Sequence, residues 1–152
     1  MTPRFARVLL FCTAFCVYIV DRVAKLFAVK SLFLGQSIKV LPDIFHITLV
    51  FNKGAAFGLL RDRAAFFITV SALAVTLIIF YAWRSKKLSG ALSLSLGLIL
   101  GGSLGNLVDR VSFGYVIDFL DFRIWPVFNV ADAAISVGVA ILIIGYICIR
   151  SS

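Results

Sequence analysis

Residues 91–132 read ALSLSLGLILGGSLGNLVDRVSFGYVIDFLDFRIWPVFNVAD. An apolar run gives way to a short polar break, and a second apolar run then continues to Ile149. Asp118 sits in the break, and Asp132 stands at the start of the second run. Acids beside a bilayer are costly to desolvate and are usually functional. Two that can meet suggest acid–base chemistry at a membrane surface.

The rest of the chain fits that setting. Of 152 residues, 62% are hydrophobic. That is more apolar surface than a soluble domain of this size can hide, so the chain reads as an integral membrane protein. Four apolar stretches, about 5–29, 64–83, 88–107 and 131–149, are each near the roughly 20 residues that a bilayer requires. The expected fold is an all-α membrane domain over 1–152, with four transmembrane helices and a small extracytoplasmic β-cradle. The net charge of +8 gathers at span ends, on Arg4 and Arg7, on Arg84, Lys86 and Lys87, and on Arg150. Clustering of that kind sets orientation in a membrane and does not indicate nucleic-acid binding. It puts both termini in the cytoplasm. Arg4 and Arg7 before an apolar run also resemble a signal peptide, but Asp21 and Lys25 follow in place of a small-residue cleavage site, so the first span is expected to remain. Cys12, Cys16 and Cys148 lie inside apolar runs and read as small buried hydrophobes.

Two segments then face outward, about 30–63 and 109–130. Within the first, residues of about 37–58 are rich in β-branched and aromatic types in short pieces, broken by Pro42. In the second, residues 119–128 read as extended, with Trp125 and Pro126 as an interfacial anchor. Asp21 lies 14 residues after Arg7 (21 − 7), roughly 21 Å along a helix. It therefore shares the outer level with Asn52, Asn106, Asp109 and Asp132. That convergence of polar residues at one depth points to a single site.

Each residue has a plainer reading too. Asn129 and Asp132 have the spacing of a helix cap, and Asp118 fits a solvated loop acid. Asp109 and Arg110 fit a local ion pair, Asp21 and Lys25 an i,i+4 pair, and Asn52 with Gly54 a turn. Asp121 reads as a surface acid, and Gly101 and Gly105 as helix-packing positions. His46 is the one histidine and no His-Glu-x-x-His occurs, so neither metal nor cofactor is expected.

Five blocks together resemble the lipoprotein signal peptidase (signal peptidase II) family over essentially the whole chain. They are Asp21 with Lys25; Asn52-x-Gly54-Ala-Ala-Phe; the glycine-rich stretch running through Asn106 to Asp109-Arg110; Val116-x-Asp118-Phe119; and Phe128-Asn129-x-Ala-Asp132. The resemblance implies a bacterial inner-membrane aspartyl endopeptidase, acting near the outer face. It would cut the signal peptide from a diacylglyceryl-modified prolipoprotein, just before the lipidated cysteine. The expected partners are that substrate and membrane lipid, with the chain a monomer. The family's catalytic pair falls on Asp118 and Asp132. Asp21, Lys25, Asn52, Gly54, Asn106, Asp109, Arg110 and Asn129 would support substrate and geometry. Asp109 is the rival to Asp118 and is set second because Arg110 stands beside it. A different class, a small proton-coupled membrane transporter, is the alternative. Such sites sit near the midplane between repeats, whereas these acids lie at one interface and no repeat is visible.

Overall fold

The computed structural model describes residues 2–54, 64–85 and 88–150. Residues 55–58 of the Asn52 block, together with Lys86 and Lys87, lie outside them. The chain runs α1 (Pro3–Ser31), β1 (Ser37–Leu41), β2 (Phe45–Asn52), α2 (Ala64–Arg84), α3 (Gly90–Phe113), β3 (Val116–Asp121) and α4 (Val130–Arg150).

Local chemistry sets the helix ends. Thr2 caps α1, its hydroxyl accepting from the Phe5 N–H, with Pro3 in the first turn. Ser89 caps α3 in the same way through the Leu92 N–H. At its far end α3 stops at Gly114, whose φ of 77° is a conformation that only glycine adopts freely. The helix therefore outruns its expected end at residue 107 by more than a turn. Asp109 and Arg110 looked like interfacial punctuation. In the fold Asp109 is neutralised by cations on α1, so nothing breaks the helix until Gly114.

Three helices are long and apolar enough to cross a membrane among the described residues: Ala65–Arg84, Gly90–Phe113 and Val130–Cys148. Large apolar side chains such as Phe15, Phe80 and Ile144 point outward, as expected of a lipid-facing surface. The three cysteines, expected to be buried, are also on that exposed surface. Helix α3 is central and packs through glycines. A Cβ at Gly101 would meet the Ala14 carbonyl of α1 at 2.5 Å, and one at Gly105 would meet Asp21 Oδ2 at 2.6 Å. Arg7 donates to the Ala82 carbonyl over 3.0 Å, tying the start of α1 to the end of α2. The basic residues at these two positions therefore share one end of the bundle.

The sheet is antiparallel, in the order β1-β2-β3. Its third strand comes from the α3–α4 connection. The extended segment begins at Val116, earlier than the expected 119–128, and turns at Arg123 (φ 64°). Phe128 then returns to bridge Leu120. Leu49, Ile117 and Phe119 of the sheet pack on Ala28 and Leu32 at the end of α1. That cluster fixes the sheet over the same end of the bundle where α3 finishes and α4 begins.

Candidate active site

Asp118 lies in the middle of β3, paired with Val50 of β2 and 1% exposed. It is not a solvated loop acid. Asn52 Nδ2 donates to its Oδ2 over 2.9 Å, and Asn129 Nδ2 donates to its Oδ1 over 2.7 Å. Asn52 is itself held by the Gly54 N–H on its Oδ1 at 3.0 Å. The turn expected at Asn52 and Gly54 is therefore real, and it aims the amide.

Asp132 occupies the first turn of α4. Asn129 Oδ1 accepts from the Asp132 N–H over 2.9 Å, and the Asn129 N–H points back to Asp132 Oδ2 at 3.4 Å. This reciprocal arrangement is the helix cap read from the sequence. It does not exhaust the side chain, because Asn106 Nδ2 donates to Asp132 Oδ1 over 2.7 Å. Asp118 and Asp132 line one cavity of about 260 Å³, along with Asn52, Gly54, Arg110 and Trp125.

Behind the cavity is a buried polar cluster. Lys25 and Asp21 form the expected i,i+4 pair at 2.8 Å, and Lys25 Nζ lies as close to Asp109 Oδ2, at 2.7 Å. Lys25 also donates to Asn106 Oδ1 over 3.1 Å. Arg22 donates to Asp109 Oδ1 and to the Gly105 carbonyl. Asp21, Lys25 and Asp109 are each 1% exposed or less. Unpaired, such buried charges would be severely destabilising; here two acids meet two cations.

The electrostatics of Asp118 follow from its place. Burial, and then the neighbouring Asp132 carboxylate, raise it from 3.8 to about 7, against the lowering effect of the Asn52 and Asn129 amides. A carboxyl titrating there can hold a proton near neutrality.

A family model described as signal peptidase (SPase) II matches residues 13–148. The chain belongs to the signal peptidase II family. The lipoprotein signal peptidase of Halothermothrix orenii is 45% identical over 128 residues, covering 84% of this chain and 88% of that one. That of Desulfitobacterium hafniense strain DCB-2 is 46% identical over 137 residues, 90% and 91% of the two chains. Among solved structures, a bacterial membrane enzyme determined by the in meso method at 2.3 Å resolution superposes with a TM-score of 0.87 at 30% identity, over 93% of this chain and 89% of that chain. The transporter alternative finds no support in these relationships.

In this signal peptidase II chain the expected residues divide into three groups. Asp118, Asp132, Asn52, Gly54 and Arg110 face the cavity. Asn106 and Asn129 tie its carboxylates to the interior, and Asp21, Lys25 and Asp109 lie behind them. Besides that of Asp118, two plainer readings fail. Asp109 pairs with α1, while Arg110 turns to the cavity and lies over the Phe67 ring, 4.9 Å from its centroid. Asp121 is 4% exposed and accepts from Thr48 and Arg123, so it is a buried sheet acid and not a surface one. Arg22 was missed. Its signal was available: a second cation in the outer half of an apolar helix demands another acid, and Asp109 supplies it.

Proposed function

We propose that this chain is a membrane aspartyl endopeptidase that removes the signal peptide from diacylglyceryl-modified prolipoproteins, cutting before the lipidated cysteine. Asp118 and Asp132 are its catalytic pair. The observation that carries this reading is that both carboxylates open on one cavity while a single residue, Asn129, donates to each, through its side-chain amide to Asp118 and through its backbone N–H to Asp132.

The chemistry uses their different settings. Asp132 faces the positive end of the α4 dipole and acts as the base. It takes a proton from a water molecule held between the carboxyls, and the resulting hydroxyl attacks the scissile carbonyl carbon. Asp118 gives its proton to the carbonyl oxygen. When the tetrahedral intermediate collapses, the C–N bond breaks, Asp132 gives its proton to the leaving amine, and Asp118 takes back a proton from a hydroxyl of the intermediate as the new carboxyl forms. Arg110, on the cavity wall, orients a substrate carbonyl. Asn52 and Gly54 present amide groups to extended peptide.

The α1 helix is the fourth span. Its 29 residues reach about 44 Å at the usual helical rise, and its inward-turned charges are neutralised. One domain then covers the chain, working as a monomer in the bacterial inner membrane. Both termini are cytoplasmic and the sheet lies at the outer face. The substrate's acyl chains lie in lipid beside the helices. Each buried CH₂ adds about 0.8 kcal/mol, so the anchor outweighs the few peptide contacts in holding the scissile bond at the right depth.

The test is to incubate the purified protein in detergent with lipidated and unlipidated forms of one prolipoprotein at equal concentration, read by gel shift. Rapid conversion of the lipidated form alone is expected. No conversion of either form would sink the assignment, and equal conversion would refute lipid anchoring.

A further inference from the structure

The backbone immediately before each catalytic carboxylate is held by an acid from another segment. Asp21 Oδ1 of α1 accepts from the Ala131 N–H over 3.0 Å, one residue before Asp132. Asp109 Oδ2 of α3 accepts from the Ile117 N–H over 3.2 Å, one residue before Asp118. The two acids are in turn joined by one ammonium, since Lys25 Nζ stands 2.8 Å from Asp21 and 2.7 Å from Asp109. Its third polar contact is Asn106 Oδ1. Because the ammonium can only donate, that contact fixes the Asn106 amide with its nitrogen toward Asp132.

We propose that Lys25 is a positioning residue that sets the separation of Asp118 and Asp132. It does so through Asp21 at the start of α4 and Asp109 before the middle of β3. The inference rests on the dyad reading above and gives it a mechanical basis. Asp118 and Asp132 lie on different elements, joined in front by Asn129 and by the Leu120–Phe128 bridge, and the two acids hold the same spacing from behind. Charge balance alone does not require this connectivity. Arg22 and Lys25 would neutralise Asp21 and Asp109 equally well without either acid holding the residue next to a catalytic carboxylate. Lys25 is buried behind the cavity and does not line it, so its effect belongs in kcat and in the electrostatic coupling of the pair.

Two substitutions at Asp21 separate the bond from the charge. Asp21→Asn and Asp21→Leu both remove the negative charge, but only Asn keeps an oxygen for the Ala131 N–H. Cleavage of a lipidated prolipoprotein is measured for each across pH, with KM and kcat resolved. Displacing a reacting group by an ångström costs about 10²-fold in rate. Asp21→Leu should therefore lose about that much kcat relative to Asp21→Asn, at similar KM. Its alkaline limb should also lie at lower pH, since a more distant Asp132 raises Asp118 less. A merely structural role lowers the amount of active protein without moving that limb.

Lys25→Gln combined with Asp21→Asn keeps the cluster neutral and serves if Asp21→Leu does not fold. It should show the same kcat loss against Asp21→Asn alone; its alkaline limb also feels the missing Lys25 charge, which holds Asp118 down, so kcat is the readout for this variant. Equal kcat in either comparison, or coincident limbs of Asp21→Leu and Asp21→Asn, overturns the role of Lys25 while leaving the dyad intact. Failure of the unsubstituted protein to cleave at all overturns both.

Discussion

Asn129 Nδ2 donates to Asp118 Oδ1 over 2.7 Å, across the gap between the sheet and the start of α4. The same side chain caps Asp132 through its oxygen. Its amide can be oriented only one way, because the Asp132 backbone can only donate. The Asn129 side chain thus links the Asp118 carboxylate to the Asp132 backbone, while its own N–H lies 3.4 Å from the Asp132 carboxylate, and the consequences of replacing either carboxylate follow from this linkage.

Asp132→Asn should insert and fold but lose cleavage by on the order of 10²–10⁴-fold, the usual contribution of a general acid or base. Asparagine keeps an oxygen for Asn106 and gives up only the long 3.4 Å contact from the Asn129 N–H, so the thermal midpoint should move little. Gel-shift rates and thermal unfolding in detergent measure the two effects. Near-normal turnover would reduce Asp132 to a cap.

Asp118→Asn should be as inactive as Asp132→Asn, and the double variant no worse than either, because groups acting as one unit are not additive. Asp109→Asn keeps an oxygen for the Ile117 N–H and should retain measurable turnover. An inactive Asp109→Asn beside an active Asp118→Asn would exchange their roles.

Activity should fall as pH rises through about 7, where Asp118 loses its proton. The folded state holds that proton more tightly than the unfolded chain, whose value is near 3.8. The associated stability is therefore full below about pH 4 and declines as pH rises toward 7. Thermal midpoints of the wild type, referenced to Asp118→Asn, should decrease over that window and level off above it. A flat difference would contradict the raised value.

A cysteine placed at Ser112, which is exposed near the end of α3, should react with an impermeant thiol reagent in intact spheroplasts, in a background without Cys12, Cys16 and Cys148. A cysteine at Ser85 should not. The reverse pattern would invert the proposed orientation.

The sequence discloses which polar residues gather better than how they are wired. Asp21, Asn52, Asn106, Asp109 and Asp132, scattered along the chain, do lie together in one connected cluster. The pairing of Asp109 with Arg110 was misjudged because adjacent helical residues point about 100° apart. One turned to α1 and the other to the cavity. Strand β3 was not delimited because its ladder depends on β2, more than 60 residues away in sequence. No local pattern reports such a partner.

The contact from Asp21 to the start of α4 also bears on biogenesis. On the four-span reading proposed above, α1 would enter the bilayer ahead of α3, carrying Asp21, Arg22 and Lys25 with one positive charge in excess. It stays unbalanced until α3 delivers Asp109. Only the last helix brings the Ala131 N–H and Asp132. On that reading a nascent chain holds a neutralised but unfinished centre until its final segment is inserted, and a half-made chain lacks one of the two proposed catalytic carboxylates.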